Sequence, residues 1–389
     1  MHMLIICAAA PTTDRPRTHG LLTALTRNGH DVSVIFVDGA GTAFDELSDR
    51  CRALLPVARR AGLAERVIEV LARRRFDLVH IEGEVADAVD LPLPLPTVID
   101  TTACQPLRRE RMVRRAGWLL RGAHVLQAWR ARQRAGAEWP AAARLIVASS
   151  EEDWGSAALG HPTHQPEVVP TPVDVERLVP TLQLRERARL LLDLRDFTPL
   201  ERMVVLMETH AILAHIWQQR PEVRLQVLGP PPPGALRALA TEPRISFVGA
   251  VRDARPYLAV ATLALVPALP GRNGLYTPLE AMAMSLPLLG IPALARELEA
   301  LAGHELLVAS DAEELAQAAL TLLDDPRYCG RLGRAARHLV ERRHNYAAVN
   351  TALENVYARA MGCALAEWRL AVGFEGVVMQ GEVSFSADG

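Results

Sequence analysis

Short apolar runs alternate with helix-patterned stretches twice along this chain, and a proline-bracketed segment divides the two series. Strands that take turns with helices build parallel sheets with crossover helices, so this alternation narrows the possible folds more than any other feature. In the first series, residues 4–8, 32–37, 78–81, 97–99 and 144–148 read as strands. Residues 17–27 and 63–74 carry helical periodicity, and Gly29 supplies a stop for the earlier helix. In Val168-Val169-Pro170-Thr171-Pro172-Val173-Asp174, two prolines would break any regular element, so this stretch is expected to be an exit strand and hinge. The second series places strands at 190–194, 224–228, 245–248, 263–266 and 286–291. Helices are expected at 201–219, from Pro278 onward, and at 312–323, 331–343 and 347–361.

A chain of 389 residues exceeds one ordinary core and suits two domains of about 150–200 residues each. The expectation is an α/β protein of two Rossmann-like, doubly wound domains facing across a cleft, with ligands at the carboxyl ends of the strands. Residues 1–172 form the N-terminal domain in this reading and 173–345 the C-terminal one. Residues 346–361 are a final helix packing back on the N-terminal domain, and 362–389 are an extension without an assigned element.

The segment from Pro270 to Leu289 is where chemistry concentrates. A polar loop, Gly271-Arg272-Asn273-Gly274-Leu275, runs straight into an apolar helix start, Thr277-Pro278-Leu279-Glu280. Free amides and the positive end of a helix dipole suit a phosphate or a sugar hydroxyl. Glu280, one turn in, can accept paired hydrogen bonds from a diol such as ribose.

Composition removes several alternatives. All 43 basic residues are arginine, which excludes a Walker-type phosphate loop and a Schiff-base lysine. A phosphate clamp must then use arginine, backbone amides or helix ends. A net charge of −2 gives no general reason to expect nucleic acid. Cys7, Cys51, Cys104, Cys329 and Cys363 are dispersed without metal spacing and read as reduced thiols of a cytoplasmic protein. No Asp-x-Asp motif and no metal-ligand cluster occur, so no metal or cofactor is expected. Residues 1–7 read as a first strand and not a leader, and no apolar run reaches the ~18–20 residues of a membrane span.

The loop-helix segment resembles the donor-binding signature of retaining glycosyltransferases of family 4, which ends in a Leu-Glu-Ala-Met-Ala run. Further likenesses are Gly29-His30-Asp31-Val32, Asp77-Leu78-Val79-His80, the stretch 168–174, and Asp253-Ala254-Arg255-Pro256-Tyr257-Leu258. Within the family the chain looks most like the PEP-CTERM-associated sugar transferases, with Arg272 standing where their arginine precedes the Leu-Glu-Ala-Met-Ala run. The resemblance implies a GT-B fold and metal-independent, retaining transfer of a sugar from a nucleoside diphosphate, as in polysaccharide biosynthesis. It implies a glycan, a lipid-linked saccharide or a small molecule as acceptor. The chain departs from the family pattern in several places, among them Thr171-Pro172 for the usual Asn-Gly and no evident Arg/Lys pair beyond the first strand of the second series. Arg272 replaces the first of two glutamates spaced seven apart, Asp193 stands in a glycine-rich turn, Asp14-Arg15-Pro16 replaces a glycine pair, and no histidine follows Asp100.

Candidate residues follow. Arg272, with the amides of Asn273, Gly274 and Leu275, is expected at the diphosphate or donor sugar; a solvated loop arginine is the plain alternative. Glu280 is the ribose acceptor, or else a carboxylate that complements the helix dipole. Thr277 caps the helix or touches phosphate. Val251 and Arg252 meet the base, and Arg17 faces the acceptor side. His80 and Asp100, at strand ends, are the catalytic candidates, although a strand-end histidine is more often structural. Nine arginines between Arg108 and Arg134, interleaved with Trp118 and Trp129, form either a solvated helical face or a peripheral contact with the inner face of an anionic membrane. Because the family pattern is altered, a non-catalytic binding or partner protein is the rival to an enzyme.

Overall fold

The structure is a computed structural model and describes residues 1–38, 49–89, 91–100, 145–148, 167–181, 185–232, 237–269 and 275–371. Seven strands form the N-terminal sheet: β1 (His2–Cys7), β2 (Asp31–Val37), β3 (Ala53–Val57), β4 (Leu78–Glu82), β5 (Thr97–Asp100), β6 (Leu145–Ala148) and β7 (Glu167–Val168). Their spatial order is β3-β2-β1-β4-β5-β6-β7. The second sheet holds β8 (Arg189–Asp193), β9 (Arg224–Leu228), β10 (Ile245–Phe247), β11 (Leu263–Val266), β12 (Leu288–Gly290) and β13 (Leu307–Val308), in the order β10-β9-β8-β11-β12-β13. The strand pairings within both sheets are parallel.

Each sheet starts in its middle and winds outward both ways, which creates one switch point per domain. One lies between β1 and β4, the other between β8 and β11. Crossovers leave on opposite faces there, so a crevice opens at the strand ends.

Helices cover both faces. In the N-terminal domain α1 (Pro16–Arg27) covers one face and α2 (Leu63–Arg73) the other. Proline at the first position starts α1 without loss of a hydrogen bond. Gly29, at φ +77°, ends it, with its N–H on the Thr26 carbonyl and that of His30 on Leu25. In the C-terminal domain α3 (Pro199–Gln219) opens with a capping box: Thr198 accepts from the Glu201 N–H, and the Glu201 carboxylate accepts from the Thr198 N–H at 2.7 Å. The short α4 (Arg237–Ala240) and α5 (Arg255–Val260) follow, then α6 (Tyr276–Ala283), α7 (Pro292–Leu298), α8 (Ala312–Asp324) and α9 (Pro326–Arg343). Helices α3 and α8 pack on one face of the second sheet, and α5, α6, α7 and α9 on the other.

The last helix, α10 (Tyr346–Ala371), belongs to the N-terminal core. Val349, Leu353, Val356, Tyr357 and Ala360 are buried among Met3, Ile5, Leu22 and Val98. The chain thus crosses between domains twice, and the crossings are tied together. Val173 N–H donates to the His344 carbonyl at 2.7 Å, and His344 Nδ1 donates to the Thr171 carbonyl at 2.9 Å. Gly20 of α1 lies so close to this hinge that a Cβ there would stand 2.6 Å from Pro172 Cγ.

Several elements differ from the sequence expectation. Strand β3 was hidden by Pro56 and flanking arginines; it is an edge strand, where a missing N–H is tolerated. Helix α9 starts five residues before Arg331, because Asp325 accepts from the Arg327 and Tyr328 N–H groups and Pro326 fills the first position. Helix α10 runs ten residues past Met361, through Gly362.

Candidate functional site

The C-terminal switch point brings together the end of β8, the end of β11 and the start of α6. Leu192, Phe197, Val266, Pro267, Thr277 and Pro278 line a narrow apolar crevice there, with Asp193 at its edge. Helix α6 begins at Tyr276, two residues before Pro278, and its N-cap is Leu275, which supplies no side-chain cap. Thr277 is therefore not the cap; it lies buried inside the first turn. The positive end of α6 is left facing the crevice.

Glu280 sits on the same helix and is 7% exposed. Burial pushes its carboxyl pKa up and Arg195 draws it back, while Asp193 and Asp253 add to the rise. Arg195 spans two carboxylates. Its Nη2 donates to Glu280 Oε2 at 2.5 Å and to Asp193 Oδ2 at 2.6 Å, and its Nε reaches both Asp193 oxygens at 3.0 Å. Burial opposes the guanidinium charge, but Asp193 and then Glu280 outweigh it and hold the Arg195 pKa above its ordinary value. Asp193, which the sequence places in the family's glycine-rich turn, thus turns back on Arg195. Nearby, Asp253 is held low by the Arg255 guanidinium, which forks onto it at 2.7 to 3.1 Å.

The other donor-side candidates scatter. Arg272, Asn273 and Gly274 lie outside the described residues, as do the arginines from 108 to 134. Leu275 is buried in the core beneath α6. Val251 is half-buried against the same core and Arg252 is exposed. They follow Gly249, at φ +85°, whose N–H donates to the Gly229 carbonyl at 3.1 Å.

The acceptor-side and catalytic candidates come together, but in the interior of the N-terminal domain. His80 is the third residue of β4, not its end, and points to the face covered by α10. It is 3% exposed, and its Nδ1 lies 3.0 Å from the Tyr357 hydroxyl. Burial lowers its pKa, and Arg17 adds to this against Asp100. Asp100 ends β5 and takes Arg17 Nε at 3.2 Å and Nη2 at 3.0 Å on one oxygen. Arg17 Nη1 donates to the Val169 carbonyl at 3.1 Å and to the Thr171 hydroxyl at 3.3 Å. Arg17 therefore ties α1, β5 and the hinge together.

Residues the sequence reading passed over line the N-terminal switch point. Glu82, at the end of β4, accepts from the Ala8 N–H at 2.7 Å, from the Thr18 hydroxyl and from Arg15 Nη1 at 3.2 Å; Arg15 Nη2 donates to Glu84 at 2.7 Å. Burial raises the Glu82 pKa. The only signal in the sequence was the replacement of a glycine pair by Asp14-Arg15-Pro16. Among the described residues no group of three metal-ligating side chains occurs, and no helix is long and apolar enough to cross a membrane.

Two parallel sheets, each with a switch point and joined by a double crossing, define the GT-B class. Residues 17–177 match the family described as Glycosyltransferase Family 4, and residues 199–325 match that described as Glycosyl transferases group 1. The chain is thus built from two glycosyltransferase domains. A sequence comparison with curated proteins found no match. Among solved structures, a sucrose-phosphate synthase from Thermosynechococcus elongatus is similar with a TM-score of 0.70 at 17% identity, over 93% of this chain and 100% of that one. Anabaena HepE, in complex with UDP and glucose, is similar with a TM-score of 0.63 at 14% identity, over 92% and 99%. A putative UDP-N-acetylglucosamine 2-epimerase from Listeria monocytogenes shares the architecture at a TM-score of 0.53 and 14% identity, over 97% of each chain. At such identities the likeness shows the fold alone.

Proposed function

We propose that the chain is a retaining, metal-independent glycosyltransferase that takes its sugar from a nucleoside diphosphate donor. The observation that carries this reading is Glu280, a buried carboxylate one turn into a helix whose uncapped end faces the switch-point crevice. A ribose diol can donate both hydroxyls to that carboxylate. The same placement brings the diphosphate to the α6 amides and dipole, which disperse the charge that develops as the sugar leaves. Arg272, shortly before α6 in the sequence, is the cation for the leaving group. The relative bound to UDP and glucose supports this class of donor. The likeness of the Arg272 run to the PEP-CTERM-associated transferases favours a growing glycan, a lipid-linked saccharide or a small molecule as acceptor. Retention requires the acceptor hydroxyl to approach from the face the diphosphate leaves.

One observation favours a second reading, a non-catalytic binding protein. The arginines described at the two switch points, Arg15 and Arg195, are each already paired with two carboxylates. Calorimetry against UDP, GDP, ADP and CDP separates the outcomes. The glycosyltransferase reading expects one of them to bind and Glu280→Ala to abolish that binding at an unchanged melting temperature. Unchanged affinity in the variant removes the site assignment. Binding without hydrolysis or transfer from the matching sugar nucleotides, across a panel of saccharide acceptors, selects the second reading.

A further inference from the structure

Arg195 occupies one of the two Glu280 oxygens, Oε2, that a ribose diol would need. Its two anchors differ in kind. Asp193 is two residues away along the chain and is fixed to Arg195 three ways: through the Arg195 N–H at 3.0 Å, through Nε and through Nη2. Glu280 is 85 residues away and is held by Nη2 alone. Losing the second anchor leaves the guanidinium still paired with Asp193, so its charge is never stranded. The Glu280 contact is the one that can be given up.

We propose that Arg195 guards the ribose-accepting carboxylate: donor binding is an exchange in which the ribose diol takes Glu280 from Arg195 while Asp193 retains the guanidinium. The proposal rests on the nucleotide reading of Glu280 and extends it to a choice of substrate class. A contact in which both partners are charged is stronger than one hydroxyl hydrogen bond to the same carboxylate, so a single hydroxyl competes poorly and the paired hydroxyls of ribose compete well. The site therefore takes ribonucleoside diphosphate sugars and disfavours 2′-deoxy donors. Arg195 and Asp193 are positioning residues, acting through Glu280.

The test uses the full chain. Binding of the tightest nucleoside diphosphate of the panel and of its 2′-deoxy analogue is measured by calorimetry, with melting temperature as the control for folding. The wild type should prefer the ribose form by about 10-fold or more. Arg195→Met should tighten the deoxy ligand and shrink that ratio to about 2-fold, while Arg195→Lys should keep part of the preference. Asp193→Asn, which loosens the local anchor and throws Arg195 onto Glu280, should weaken the ribose ligand by about 5-fold. In Glu280→Gln, Arg195→Met should leave the ratio unmoved. Equal weakening of both ligands by Arg195→Met, with no effect of Asp193→Asn, overturns the exchange and makes Arg195 an ordinary ligand contact. A wild-type chain that binds no nucleoside diphosphate defeats the underlying reading instead.

Discussion

Arg17→Met removes one guanidinium from a place where four acceptor contacts converge. In the wild type that group is 8% exposed and gives two hydrogen bonds to Asp100, one to the Val169 carbonyl and one to Thr171. Methionine fills the space without replacing a donor, so the Asp100 carboxylate, itself 7% exposed, loses both guanidinium hydrogen bonds and the charge that balances it. Breaking a buried pair by removing one partner costs about 3–5 kcal/mol. For a domain of ~170 residues that is a fall in melting temperature of roughly 6–20 °C. Asp100→Asn in the same background removes the stranded charge and should recover more than half of the loss, which a double-mutant cycle read by thermal or urea unfolding would report as strong coupling. The reasoning is refuted if Arg17→Met melts within about 1 °C of the wild type while its acceptor KM rises, since that is the signature of a cleft-facing substrate contact.

Two further outcomes follow from the same frame, beside those given for Glu280 and for Arg195 with Asp193. Burial lowers the His344 pKa to about 4 from an ordinary value near 6.5, so the unfolded chain takes up its proton first. That contribution to stability is fully present above about pH 6.5 and is lost as pH falls toward 4, by up to ~3 kcal/mol, and urea titrations of His344→Gln should show a flatter profile over that window. A Cβ at Gly333 of α9 would stand 2.1 Å from the Ser285 carbonyl, just beyond α6. Gly333→Ala should therefore cost about 1–3 kcal/mol and weaken nucleotide binding by shifting α6, whereas an unchanged melting temperature would show that the two helices separate freely.

The parallel architecture was readable because buried strands appear as apolar runs of four to six residues with helical stretches between them. Most strand bounds fell within a residue or two of the pattern. Local rules failed where two of them competed. Pro278 looked like a helix start, yet it stands third in α6, where the first turn tolerates a missing N–H. Gly362 looked like a stop, although nothing lies within 4 Å of its missing Cβ and the helix continues past it. In the site, Glu280 could be named from its neighbours along the chain. Its link to Arg195 could not, since 85 residues separate them and only the adjacency of β8 to β11 brings α6 over the end of β8. His80 was misplaced for a similar reason: the partner that draws it inward, Tyr357, is 277 positions away in the sequence.

That docking has a bearing on synthesis. The residues of α10 that close the first sheet leave the ribosome only after the entire second lobe has emerged. Until then Met3, Ile5 and Val98 lack the part of their cover that α10 supplies, and the hinge lacks His344. The amino-terminal half must therefore wait, incomplete, through the making of roughly 180 more residues, about ten to forty seconds at common elongation rates. A fragment ending at the hinge should be sticky and chaperone-dependent, and it should be rescued by adding the missing helix as a separate peptide.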